Sequence, residues 1–224
     1  MTSWVSRDAT HLGVDRIATA PTAQAFYDNI LATMEGAAGA PKMLEPAARG
    51  SAVGMTLLAS GSVSAAASLD IVMTAFTAYK NKLLRLTSFI PASDGVALLG
   101  RLSTNGGSSY DSGGTDYGYV YRPLNTAGAT GDSFGAASSL TFSGAFIGNV
   151  SSEGISLMAE LLDTTNAAVL TRLNWSGSYL DTAGAITHTY GCTGRAIAQD
   201  TDAIRINFSS GNIASGAWEL YGWN

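Results

Sequence analysis

The sequence predicts a mainly β protein: an antiparallel, jelly-roll-like β-sandwich preceded by a short N-terminal arm with one helix. Three observations predict it. From about Ala52 onward, apolar and polar residues alternate with period two in one short run after another, as strands do when one face is packed and the other wet. Gly-, Ser- and Asn-rich stretches separate these runs, and short strands with such punctuation point to a sandwich or barrel. Helical periodicity is nearly confined to the first fifty residues, which argues against the strand–helix alternation of α/β folds.

The arm comes first. "APTAQAFYDNILATMEG" reads as a short helix. Pro21 suits its first turn, where the missing N–H has no partner to lose. Phe26, Ile30 and Met34 recur every four residues, with Tyr27 and Leu31 beside them, so one apolar stripe forms. Gly36 is the predicted stop. "GAAGAPKMLEPAARGSAVG" follows with the composition of a linker. So short a helix is marginal alone in water, and its stripe needs a surface to lie on. The domain division expected is residues 1–50 as arm and linker and 51–224 as sandwich.

The strands follow in order. "KLLRLTSFI" (Lys82 to Ile90) and "DGVALLGRL" (Asp94 to Leu102) are strand-like, with Pro91 between them. "YGYVY" puts Tyr117, Tyr119 and Tyr121 on one face. "EGISLMAELL" places Ile155, Leu157 and Leu161 opposite Ser156 and Glu160. "AAVLTRLNWSGSYL" sets Leu173 and Trp175 against Arg172 and Asn174. "DAIRINF" sets Ile204, Ile206 and Phe208 against Arg205 and Asn207. The closing "INFSSGNIASGAWELYGWN" is expected to be two paired strands with "SSGNIASG" as their hairpin connection. Trp175, Trp218 and Leu220 are expected in the core, and Tyr221 and Trp223 on a partner-facing surface. About eight to ten strands are expected after the linker.

Composition excludes several function classes. Charged residues make up 13% of the chain and the net charge is −5, whereas a nucleic-acid binder needs a basic footprint. With so few charges, Ser, Thr, Asn and Gly must supply the polar surface, which suits neutral polar partners or other subunits. No run of 18 apolar residues occurs, so no membrane-spanning helix is expected. "MTSWVSRDATHLGVDR" lacks an apolar leader core, so no signal peptide is expected. The single cysteine, Cys192, allows no intrachain disulfide.

Catalytic and metal chemistry has few footholds. His11 and His188 are the only histidines, and no G-x-S-x-G elbow is present. One Cys and two His do not make a usual zinc set. Glu153, Glu160, Asp163 and Asp181 could supply a glycosidase pair, but no spacing fixes one. No cofactor and no metal are expected. "NGGSSYDSGGTDYGY" (Asn105 to Tyr119) reads as a long hairpin loop, with Asp111 and Asp116 as oxygen ligands for calcium in the alternative. Tyr110, Tyr117, Tyr119 and Tyr121 are amphipathic rings suited to stacking on sugars or to a subunit interface.

"SFIPASDGVALLGRLSTNGGSSYDSGGTDYGY", "NVSSEGISLMAELLD", "RLNWSGSYLDTAGA" and "IRINFSSGNIASGAWELYGWN" together resemble a family of tailed-bacteriophage virion proteins. The pattern F-S-S-G-N-I-A-S-G-x-x-x-L-Y-G, Phe208 to Gly222, is the most specific part, and the resemblance spans roughly Val53 to Asn224. "GAAGAPKM" is similar to the linkers that precede such domains. The resemblance implies a structural component on the outer surface of the phage particle, assembled in the host cytoplasm, with no catalytic residues. The chain has no long repetitive shaft, which favours a capsid decoration (cement) or head-fibre protein over a tail fibre. The implied partners are the major capsid protein or other virion proteins and further copies of the chain, a trimer being favoured by the three-fold positions of capsid lattices. Phe26, Tyr27, Ile30, Leu31 and Met34 would anchor it to the shell. The competing role is a host-glycan receptor module using Tyr110, Tyr117, Tyr119, Tyr121, Tyr221 and Trp223. A polysaccharide-degrading enzyme is the third and least supported reading.

Overall fold

The chain divides into two units, residues 1–53 and 54–224. The computed structural model describes residues 54–126, 128–129, 132–144 and 146–224. The arm helix, its stripe of Phe26, Tyr27, Ile30, Leu31 and Met34, and the linker lie outside the described residues.

Among the described residues the second unit has thirteen strands: β1 (Thr56–Ala66), β2 (Leu69–Val72), β3 (Asn81–Pro91), β4 (Leu98–Ser103), β5 (Tyr117–Asn125), β6 (Gly128–Ala129), β7 (Ser133–Ala137), β8 (Leu140–Thr141), β9 (Gly154–Leu162), β10 (Arg172–Leu180), β11 (Ile186–Arg195), β12 (Ala203–Phe208) and β13 (Ile213–Trp223). One 3-10 turn, Thr74–Phe76, interrupts them. All pairings are antiparallel. A nine-stranded sheet runs β1-β13-β3-β9-β10-β11-β5-β6, with β7 also on β5, and a four-stranded sheet runs β2-β12-β4-β8. The predicted mainly β sandwich is therefore what forms.

One apolar cluster joins the two sheets. Leu84, Leu86 and Phe89 from β3, Ile155, Leu157 and Leu161 from β9, and Leu173 and Trp175 from β10 meet Ile71, Leu98, Leu102, Ile204, Ile206 and Phe208 from the smaller sheet. The period-two alternation creates this core directly: in β10 every second residue is buried and its neighbours are exposed. Lys82 is an ionisable residue on the inner face. It is 1% exposed, and its Nζ donates to the Tyr79 carbonyl at 3.0 Å and to Thr164 Oγ1 at 2.6 Å. Burial lowers its pKa to about 8.

Several expectations need correction. β12 and β13 are not a hairpin: β12 pairs with β2 and β4, and β13 with β1 and β3. The connection between them crosses from one sheet to the other and is stitched to the start of β4. Ser209 N donates to the Ala97 carbonyl at 2.9 Å, and Ala97 N donates to Ser209 Oγ at 3.0 Å. Pro91 does not separate two strands but ends β3, and the next strand begins at Leu98 rather than Asp94. Strand β10 begins only at Arg172, after a turn. The Asn105–Asp116 loop likewise joins the smaller sheet to the larger and is not a hairpin. Trp218 is half-buried at the core's rim. Its indole lies over Gly61 of β1, where a Cβ would stand 3.0 Å from Nε1.

Candidate functional site

The six aromatic residues proposed from sequence scatter over the fold. Tyr117 is fully buried and cannot face a ligand. Its inward position on β5 puts the hydroxyl where it accepts from Leu102 N at 2.8 Å and donates to the Asp111 carbonyl at 3.3 Å, and burial raises its pKa to about 12. Tyr110 is half-buried as a clamp, its ring 4.1 Å from the Arg205 guanidinium. Arg205 in turn grips Asp70 with two bonds of 2.7 and 2.6 Å. Tyr119 and Tyr121 share the inner face of β5 with Tyr117 and are half-buried, their ring centroids 5.9 Å apart. Tyr121 leads on to buried Trp175 at 6.1 Å. Tyr221 and Trp223 are half-buried on β13, and the Tyr221 hydroxyl donates to Glu219 at 3.1 Å. The structure thus brings together Tyr117, Tyr119 and Tyr121, and separates them from Tyr221 and Trp223.

Asp111, Asp116, Glu153, Asp163 and Asp181 are engaged locally, and Glu160 is half-buried on β9. Asp111 forms a 2.6 Å ion pair with Arg195, which is itself 4% exposed. Asp116 accepts from Gly113 N at 2.5 Å, so both loop carboxylates staple the Asn105–Asp116 segment. Around them Asp111, Asp116, Arg195, Ile197 and Gln199 line a cleft of about 90 Å³. Glu153 accepts from Val150 N at 2.9 Å, Asp163 pairs with Arg172 at 3.2 Å, and Asp181 holds a turn through the N–H groups of Ala183 and Ala185. Among the described residues no three His, Cys, Asp or Glu side chains cluster to hold a metal ion. His188 and Cys192 stand on β11, opposite Ser178 and Asn174 in register.

The outer face of the larger sheet was not singled out by sequence reasoning. Register defines its rows. Arg85, Met158, Ser176 and Tyr190 lie in one row across β3, β9, β10 and β11, and Ser156, Ser178 and His188 lie in the next. All seven are exposed. Small hydroxyl side chains sit between larger ones, so a groove of about 310 Å³ opens over Thr87, Ser156, Ser176 and Ser178. Arg85, which lines this groove, pairs with Glu219 at 3.2 Å. A second, more apolar groove lies over β5, β7 and β11, where Gly118 and Gly194 lack side chains and Val120 and Phe134 stand exposed. The sequence signal for part of this face was present: Ser156, Met158, Ser176 and Ser178 occupy the wet positions of strands it already defined.

At the margin of the larger sheet lies β1. TLLASGSVSAA carries no charge and no proline over eleven residues. It pairs with β13 on one side, and among the described residues no strand lies on its other side.

Compared with family models, with curated proteins and with solved structures, the chain matches none of them.

Proposed function

We propose that the chain is a structural protein of a tailed-phage virion, a capsid decoration or head-fibre protein whose jelly-roll-like second unit is displayed outward. Residues 1–50 attach it to the shell, and the major capsid protein or another virion protein is its partner. The observation that carries the reading is the edge of β1, which no strand among the described residues covers. An edge strand exposes a row of unpaired N–H and C=O groups, and soluble monomers blunt such edges with Lys, Pro or short length. β1 has none of these devices across its eleven residues, although a bulge at Leu58 breaks its ladder near one end. An assembly that supplies a neighbouring strand makes that protection unnecessary. The remaining charge-poor surface fits packing among copies, and a trimer on a three-fold lattice position is the arrangement favoured.

The test is particle imaging with a labelled protein, together with a chain lacking residues 1–50. Label on the outer shell of heads, lost with the truncation, supports the proposal. Heads still decorated by the truncated chain would remove the anchoring role, and label absent from particles would remove the virion role.

A further inference from the structure

The geometry points to a neutral-saccharide site in the outer-face groove of the larger sheet, between Thr87 on β3 and His188 on β11, with Tyr190 beside His188 at its rim. The site goes beyond the virion role proposed above and does not depend on it.

The floor of the groove is Ser156, Ser176 and Ser178, all on exposed positions of β9 and β10. Their hydroxyls can each donate and accept, which is the chemistry that sugar hydroxyls require. One floor hydroxyl already has a fixed partner: Ser88 N donates to Ser156 Oγ at 3.1 Å. That orients it while leaving its own proton free for a ligand. Ser176 Oγ lies 3.5 Å from His188 Nε2, so the imidazole borders the floor as a further donor or acceptor.

The wall supplies the apolar half of the recognition. His188 and Tyr190 occupy successive outward positions of β11 with ring centroids 5.9 Å apart and planes tilted by 30°. Tyr190 is 41% exposed. His188 at the groove and Tyr190 beside it are both exposed, and their ring faces offer apolar surface at the rim for the C–H face of a pyranose. Met158 lies across Ser176 from Tyr190 in register and closes the other side.

Charge decides the ligand class. The groove floor carries no ionised group, and Arg85 at its margin is paired with Glu219. Among the described residues the one charged side chain lining the groove, Arg85, shares its charge with Glu219, so the groove presents a nearly neutral pair rather than a lone charge. A neutral ligand loses nothing. The volume of about 310 Å³ falls at the lower end of ordinary ligand sites and suits one or two sugar rings of a longer chain crossing the strands.

The experiment titrates the full chain with neutral oligomers of glucose, galactose, mannose and N-acetylglucosamine, and with an oligogalacturonate as the charged comparator. Binding is read by calorimetry and by the NMR signals of the His188 ring and the β10 amides. At least one neutral series is expected to bind with a dissociation constant tighter than about 10 mM. Tyr190→Ala should weaken it by about tenfold or more, Ser178→Trp should abolish it, and Phe134→Ala, outside the groove, should leave it unchanged. Thr87→Trp fills the groove from another strand, so a failure of Ser178→Trp to fold leaves that variant to decide. Absence of any shift with every neutral series would overturn the proposal. So would tighter binding of the oligogalacturonate, or binding that survives both tryptophan substitutions. None of these readouts involves the particle, so they stand apart from the imaging that tests the virion role.

Discussion

Lys82 makes the stability of this protein rise with pH over a window where most proteins show little change. Its amine is 1% exposed, and its two neutral acceptors, the Tyr79 carbonyl and Thr164 Oγ1, do not replace the hydration of a full charge. Burial therefore lowers its pKa from 10.5 to about 8. The unfolded chain then holds more protons than the folded one between those two values, so stability must increase with pH across that window. Each tenfold change in proton affinity is worth about 1.4 kcal/mol, so the full effect is about 3 kcal/mol. Between about pH 7.5 and 9.5 the linkage relation returns about 2 kcal/mol of it. The tyrosines act in the opposite sense. Burial raises Tyr117 and Tyr179 from 10 to about 12. Their folded pKa values exceed the unfolded ones, so the stability they contribute is present below pH 10 and is lost as pH climbs toward 12. The expected profile rises from pH 8, peaks near pH 10 and falls beyond it. Denaturant unfolding followed by tryptophan fluorescence measures it directly. The Lys82→Met variant should lose the rising limb and keep the falling one. A flat or descending profile between pH 8 and pH 10, or an unchanged rise in Lys82→Met, would show that the buried amine does not govern this window.

Two further outcomes follow from named contacts. Tyr117→Phe removes the acceptor for the buried Leu102 N–H and should cost about 1–3 kcal/mol by denaturant unfolding, while also softening the loss of stability above pH 10. Ser60→Lys with Ser62→Lys places charge on exposed positions of β1, the end strand of the larger sheet among the described residues. It should change the unfolding midpoint little, within about 0.5 kcal/mol, yet reduce incorporation into particles severalfold by quantitative immunoblot of purified virions.

What could be read in the sequence was whatever one buried face imprints on it. β9, β10 and β12 alternate cleanly because each has a core face and another face, so Ile155, Leu157, Leu173 and Trp175 were placed correctly. β1 escaped notice because an end strand at the sheet margin buries neither face fully, and TLLASGSVSAA shows no period. The supposed β12–β13 hairpin failed for a different reason. Alternation reports which face a residue occupies but not which strand lies beside it, and Gly211, with φ of 70°, gives the connection the look of a tight turn. The tyrosines of β5 show the same limit. "YGYVY" fixes a shared face for Tyr117, Tyr119 and Tyr121, but whether that face meets the core depends on the opposite sheet, which puts Leu102 against Tyr117. Arg195 could not have been matched to Asp111 from spacing, since the two lie far apart in the chain and only the fold brings them together. The groove residues of β9 and β10 were legible as wet positions, but only the register across β3, β9, β10 and β11 assembles the groove into one surface.

If this sandwich is a component of a phage particle's outer shell, cryo-electron microscopy of particles carrying a labelled copy will locate it there. Label is expected at regular, symmetry-related positions on the outside of the head, with a neighbouring strand or subunit along β1. Particles of normal composition with no label on their surface would contradict the virion role.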